Sequence, residues 1–316
     1  MGCGKEEKRG MKDRRKKGQE GSSCTIREGS RAVDWMIAAV ILICCFVTLY
    51  PMYYVLIMSI SDPVEVVKGN IYWWPKGFSL EAYKSIITDK TMWRAYGYTI
   101  LYVVSETFLM EVTCLLAAYP LTSKKLIGRK YVVWFLLVPM YFGGGLIPTY
   151  LIYSRLGLYN NIWALIIPGS FSIYNIILTR TYLASIQEGI REAAKVDGAN
   201  HFQILFRIYL PLAKPIMAVI AIYTIVGVWN SWFQSMVYQP NMEIQPLQMY
   251  LRRVLVEQTQ TTAMTAEAAK TAAMERMTNL QKRYSMIIFT TLPIIFVYPF
   301  LQKYFIQGVM IGSLKE

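Results

Sequence analysis

The sequence predicts an all-α, polytopic membrane protein with six transmembrane helices. Several apolar runs exceed the roughly 20 residues that a helix needs to cross a bilayer. The chain as a whole is 54% hydrophobic with a mean hydropathy of +0.32. Its basic residues also alternate between loops, as the two faces of a membrane require.

Residues 1–31 hold ten Lys/Arg against five acids, with no helical or strand periodicity. A nucleic-acid arm would interleave aromatics, and this stretch does not, so it reads as a disordered, solvated tail with no nucleic-acid partner. Met1-Gly2-Cys3 suggests lipidation, yet Glu6 stands where a myristoylation signal has Ser or Thr, and no apolar region precedes Cys3. Residues 32–316 form the membrane domain. Its first span, 35–58, is about 36 Å long as a helix, too long for a signal-peptide core, and no small-residue cleavage site follows it. Residues 59–92 read as an external connector whose Trp73, Trp74 and Pro75 suit the interface.

The second span, 95–119, carries Glu106 and Glu111. Five residues apart, they lie about 140° apart around a helix and cannot easily share one partner. They read either as a proton or substrate path or as hydrogen-bonded packing residues, because a charge in hydrocarbon must find one or the other. Lys124, Lys125, Arg129 and Lys130 make a short basic loop. The third span, 131–153, contains Pro139 and Gly143-Gly144-Gly145, where a break or a tight crossing is expected. The fourth, 162–183, carries Asn175 among apolar neighbours. A fifth span, 213–236, leads to a connector, 237–285, with an Ala/Thr/Met-rich stretch expected to be helical. The sixth, 286–305, precedes a short tail. With the N-terminus inside, 21 of the 33 Lys/Arg fall in the inner tails and loops and 12 outside. Both termini are therefore expected in the cytoplasm.

The fourth and fifth spans are joined by a polar loop, 185–210. Ser185 and Glu188 have the spacing of a capping box, Gly198 fits the position just past a helix end, and Asn200 with Gln203 can cap a second helix. Pro211 and Pro215 mark the junction with the fifth span. On the first helix Ile190, Ala193, Ala194 and Asp197 share a narrow face of mostly small residues, flanked by Glu188, Arg191, Glu192 and Lys195. Such a face can seat deep in a groove on another protein.

Glu192-Ala193-Ala194, then Asp197-Gly198, then Leu210-Pro211 resemble the EAA loop of bacterial ABC importer permeases. Gly143-Gly144-Gly145-Leu146-Ile147-Pro148, Leu156-Gly157-Leu158 with Asn161-Ile162-Trp163-Ala164, and Trp229-Asn230-Ser231-Trp232 resemble the carbohydrate branch of that family. The resemblance covers roughly residues 90–316. It implies the type I importer fold of the maltose-transporter kind and a loop that couples the chain to cytoplasmic ABC ATPase subunits. It also implies a second, homologous permease chain, an extracellular solute-binding protein and a sugar substrate in the bacterial cell membrane. ATP and Mg would be bound by the partner ATPase, with no cofactor in this chain.

The chemistry in the residues agrees with that division of labour. No G-x-x-x-x-G-K-[ST] occurs, so any energy from ATP must come from another polypeptide. A membrane-embedded enzyme would need more than the single histidine, His201, and would show a hydrolase or metalloprotease motif. No Cys/His spacing indicates a metal: Cys44, Cys45 and Cys114 lie inside apolar spans. A sensor or scaffold would need neither a glycine-broken span nor polar residues at depth, and an importer of another solute is the nearer alternative. For a substrate path the sequence offers Asn175, Trp229, Asn230 and Trp232. Indole faces stack on sugar rings and amides bond their hydroxyls, although interfacial anchoring fits Trp229 and Trp232 equally. The charge pattern predicts that, with the native cysteines replaced, Leu126→Cys is labelled only from the cytoplasm and Thr262→Cys only from outside. Reversed labelling would invert the topology.

Overall fold

Without water to satisfy backbone groups, a bilayer admits only helices and closed barrels, and this chain forms helices. The computed structural model describes residues 31–257, 279–297 and 299. The basic tail, apart from its last residue, and the Ala/Thr/Met-rich stretch at 258–278 lie outside the described residues, as do the end of the sixth span and the final segment.

Helix α1, Arg31–Ile60, exposes its side chains from Val33 to Leu49, among them Trp35, Leu42 and Leu49. Lipid, rather than protein, suits such a surface. Its end carries Ile57 and Met58 into a small core with Val66 and Ile71. Short helices α2, Pro63–Lys68, and α3, Glu81–Thr88, follow in the first connector, with an isolated antiparallel bridge between Ser61 and Phe78.

Helix α4, Lys90–Thr122, is the element the others pack on. Asp89 caps it, accepting the Thr91 N–H at 2.8 Å, and also accepts a hydrogen bond from the Tyr250 hydroxyl. Burial, then this carboxylate, push the Tyr250 pKa up. Met92, Ala95, Thr99, Tyr102, Glu106, Met110 and Cys114 are all buried. Steps of three and four residues place them in one stripe along the helix.

The third span is bent by 114° between α5, Arg129–Tyr141, and α6, Leu146–Arg155. This is the break expected at Gly143–Gly145. Gly145 has φ +83 and ψ 175, a region that only glycine occupies without strain. The fourth span differs from the continuous 162–183 expected. Helix α7, Trp163–Gly169, stops after Pro168-Gly169, and α8, Ile173–Ala184, restarts with Ser172 accepting the Asn175 N–H at 3.3 Å. A proline and a glycine together outweigh the apolar run around them.

After the loop helices α9, Glu188–Val196, and α10, His201–Leu212, the fifth span turns by 75° into α11, Lys214–Trp229. It ends seven residues before the expected 236. Asn230-Ser231-Trp232 forms a turn, and the chain resumes as α12, Phe233–Tyr238. Helix α13, Leu247–Glu257, occupies the last connector. A final helix, α14, covers 279–297, starting before the expected 286. Gln281 and Ser285 explain the extra turns: the Gln281 amide donates to the carbonyl of Ser61 at 2.7 Å, and the Ser285 hydroxyl donates to that of Ser59 at 3.0 Å. Among the described residues, Val33–Ile60 and Lys90–Thr122 are each long and apolar enough to cross a membrane. Two bent pairs, Arg129–Tyr141 with Leu146–Arg155 and His201–Leu212 with Lys214–Trp229, would make four.

A buried polar knot holds the connector of α12 and α13 to the stripe. The fully buried Gln239 donates to the Tyr102 hydroxyl at 2.9 Å, which donates to the Ile244 carbonyl at 2.7 Å. Thr99 Oγ1 accepts the Leu247 N–H at 2.7 Å. Removing one member strands the others, at a cost of about 1–3 kcal/mol. Gln239→Ala is therefore expected to lower the unfolding midpoint of the detergent-solubilised protein, whereas the exposed Gln234→Ala should not; equal midpoints would contradict the knot's role.

Candidate functional site

The 185–210 loop is two short helices joined by an elbow. The first begins at Glu188, not at a Ser185 capping box: the Ser185 hydroxyl turns back to donate to the Tyr182 carbonyl at 2.7 Å, and Gln187 occupies the cap without a side-chain bond. The preceding helix has claimed that serine. The helix ends as its glycine predicts. Gly198 has φ +81, its N–H donates to the Lys195 carbonyl at 3.1 Å, and the Ala199 N–H donates to the Ala194 carbonyl at 2.9 Å. These are the paired bonds of a Schellman end. Asn200 and Gln203 then form the expected capping box, with bonds of 2.8 and 2.9 Å.

Helix α10 is not a regular α-helix: Ile204–Tyr209 is a π turn. Pro211 supplies the reason. It has no N–H to offer four residues back, and its ring would press on that carbonyl, so the ladder widens just before it.

The loop's inner side packs Ala194, Ile204, Leu205 and Tyr209 against Ala118, Tyr119 and Leu121 of α4 and Leu183 of α8. Arg191, expected among the flanking surface charges, is buried and donates to Glu188 at 2.6 Å. Glu188 also lies 3.7 Å from Lys124 of the basic loop. The outer side keeps Glu192, Ala193, Lys195 and Asp197 exposed, together with Ile190. Val196 is 88% exposed and Phe202 69%. Neither Val196 nor Phe202 stood out in the sequence; Val196 lies one position off the periodic face of the first helix, and only the fold shows that none of the described residues covers either side chain. Between this loop and α4 lies a groove of about 590 Å³ lined by Tyr119, Lys125, Arg191 and Phe202.

Within the helical body is a second cavity of about 470 Å³. Glu106 and Met110 of α4 line it, with Gly169 of α7, Asn175 of α8, and Ser231 and Gln234 beyond α11. Of the two carboxylates, Glu106 lies in the buried stripe and Glu111 off it. Asn175 is buried at the wall. Trp229 is not on the lining: its indole N–H donates to the Thr290 carbonyl at 3.2 Å, and its ring meets Tyr96 edge-on at 5.6 Å. The Asn230 amide donates to its own helix at Val226, 2.8 Å away. Trp232 lies 4.1 Å beneath the Arg252 guanidinium, which also contacts Met236. The structure therefore brings Asn175 to the cavity with Glu106, Ser231 and Gln234, and leaves the two tryptophans in packing and cation–π contacts.

An all-α body with broken spans, an intramembrane cavity and a capped elbow between two spans defines a transport permease. Residues 27–311 match the family described as "Binding-protein-dependent transport system inner membrane component", and the chain belongs to it. It is a multi-pass protein of the inner membrane whose ATPase is a separate subunit. The chain is 34% identical to Protein LplC of Bacillus subtilis (strain 168), across 85% of this chain and 90% of that one. It is 30% identical to the polygalacturonan/rhamnogalacturonan transport system permease protein YtcP of the same organism, across 90% and 99%. A crystal structure of a bacterial ABC transporter involved in the import of the acidic polysaccharide alginate contains a chain that superposes with a TM-score of 0.81. That chain is 32% identical, with coverage of 88% and 98%.

The cap bonds give a direct check on the elbow. Asn200→Ala removes one reciprocal bond, a loss of about 1 kcal/mol, and is expected to speed amide exchange through His201–Gln203 while leaving α4 protected. Unchanged exchange would show that packing alone holds the second loop helix.

Proposed function

We propose that this chain is one of two permease subunits of an importer that carries a sugar or oligosaccharide delivered by an extracellular solute-binding protein. It would cross the membrane six times with both termini in the cytoplasm, and the second permease would be a different, homologous chain. The names of the relatives support the substrate class, and the inner-to-outer ratio of Lys/Arg supports the orientation. Asn175 serves the substrate path from the cavity wall. Asn230 and Trp232 flank Ser231 at its edge, and Trp229 backs it by fixing α11 to α14.

The observation that carries the coupling half of this reading is the loop's outer side. A short, doubly capped element presents Val196 and Phe202 to solvent among the charges of Glu192, Lys195 and Asp197. Exposed apolar side chains rimmed by charge are what a docking groove on another protein covers. Glu192, Ala193, Ala194, Asp197, Gly198, Leu210 and Pro211 are the coupling residues in this reading, with cytoplasmic ABC ATPase subunits as the partner. ATP-driven closure of that partner would move the elbow, and the bent fifth span would pass the motion to the cavity, alternating its access.

Gly198 is the test. A Cβ there would meet nothing within 4 Å, so substitution costs only the strain of positive φ, about 1 kcal/mol. That is too small to unfold the body but is applied at the joint of the elbow. An aspartate adds a negative charge at the wrong end of a helix dipole. Gly198→Asp is expected to reach the membrane at normal level, to lose transport and to retain less ATPase on co-purification, with Glu192→Ala milder. Normal transport with normal ATPase association would remove the loop from the coupling path.

A further inference from the structure

The groove between the elbow and α4 changes chemistry along its length. Leu116 and Tyr119 line it from the apolar run 95–119, and Leu116 lies about 9 Å along the helix from the end of α4 at Thr122. Phe202 and Leu205 of α10 add to this apolar part. Past the helix end the lining turns cationic, with Lys125 from the basic loop and Arg191 and Lys195 from α9. Arg191 is held by Glu188 at 2.6 Å, which leaves Lys125 and Lys195 against the single carboxylate of Glu192. Neither lysine makes an ion pair among the described residues. Arg129 and Lys130 follow close behind, and no Asp or Glu occurs from 112 to 187.

An unbalanced positive part calls for an anion, and the apolar part for hydrocarbon. A dissolved anion would use the lysines and leave Leu116, which is 44% exposed, against water. A soluble protein would stop at the membrane surface, short of a residue set inside the span. An anionic phospholipid meets both demands, because basic pockets beside membrane helices hold its headgroup while its acyl chains continue into the bilayer. The groove, of about 590 Å³, takes the headgroup and the first methylenes and leaves the rest of the tails in the membrane.

We propose that this groove is a binding site for an anionic phospholipid, with the phosphate on Lys125 and Lys195 and the start of an acyl chain against Leu116 and Leu205. Seated there, the lipid ties the elbow to α4. The site rests on the proposed function only for the leaflet that supplies the lipid, which is the cytoplasmic one in that reading.

Native mass spectrometry on the complete complex, with its sister permease and ATPase subunits, counts the lipids retained in detergent. The probes are phosphatidylglycerol and phosphatidylcholine with identical chains, one anionic and one zwitterionic. Phosphatidylglycerol is expected to be retained at about tenfold lower lipid concentration, since each lysine beside an anionic headgroup contributes roughly fivefold. Lys125→Gln with Lys195→Gln should abolish that preference and cost the complex one bound phosphatidylglycerol. Lys125→Gln alone should weaken it by about fivefold and stands in if the double variant fails to assemble. Lys130→Gln removes the same charge outside the lining and should change nothing, whereas Leu116→Gln should weaken retention of both lipids. Equal retention of the two lipids by the native complex overturns the site. So does a loss in Lys130→Gln as large as in Lys125→Gln, which would mean a diffuse surface charge. Displacement of the lipid by sn-glycerol 3-phosphate would hand the groove to a dissolved anion and overturn it too. The measurement is blind to the side of the membrane on which the loop lies, so none of these failures touches the proposed topology or the sugar reading.

Discussion

The buried stripe on α4 is the constraint the rest of the body depends on. In lipid there is little hydrophobic drive to bring helices together, so association relies on close packing and on polar contacts that lipid cannot replace. The stripe supplies both. Ala95 and Cys114 are small, Met92 and Met110 fill gaps, and Thr99 and Tyr102 hold the connector that leads into α13. Helices α7, α8, α11 and α13 all pack against this helix. Glu106 lies in the same stripe, so the face that assembles the body also furnishes the wall of its cavity. Assembly of the body and the lining of its cavity are two uses of one helical face.

The loop between the fourth and fifth spans solves a different problem. In the proposed coupling role, the segment must hold its shape while touching its own protein on one side only. Two terminations placed back to back do this. The glycine end of α9 satisfies its last carbonyls, and two residues later the Asn200–Gln203 box satisfies the first amides of α10. With the backbone groups paired locally, few need a partner from outside, and the outer surface is free to be apolar. Inside, the edge-on contact of Tyr119 with Tyr209, centroids 5.1 Å apart, joins the elbow to α4. Movement of the loop therefore has a packed route into the helix that carries Glu106.

How much of this was legible from residues alone follows the range of the interactions. Local chemistry read well: the Gly198 turn, the Asn200 cap and the break at Gly143–Gly145 each depend on a few neighbouring residues. Span ends read poorly, because an apolar run has no sharp edge. Pro168-Gly169 split one run that composition had joined, and Gln281 with Ser285 lengthened another through bonds to residues more than 200 positions away. The Ser185 box failed because two helices competed for one hydroxyl. Asn175 stands out in the sequence by its isolation among apolar neighbours, and the fold buries it on the cavity wall. Choosing between Glu106 and Glu111 needed the stripe, and Gly169 could be recognised only from what it faces. Trp229 reads from sequence as a sugar platform or an anchor alike, and only the fold shows its indole donating to the Thr290 carbonyl.

The π turn at Ile204–Tyr209 has a consequence for how the loop is aimed. A π turn holds one residue more than the α-helical turn it replaces. Each residue of an α-helix advances the azimuth by about 100°, so everything on the loop side of the turn is rotated by that much relative to the side that continues into α11. The direction in which Phe202 faces is thus set by a register shift some residues away, and that shift exists because one proline has no hydrogen to give. In this protein the bearing of the loop's outer surface is a phase angle, written into the helix ahead of Pro211.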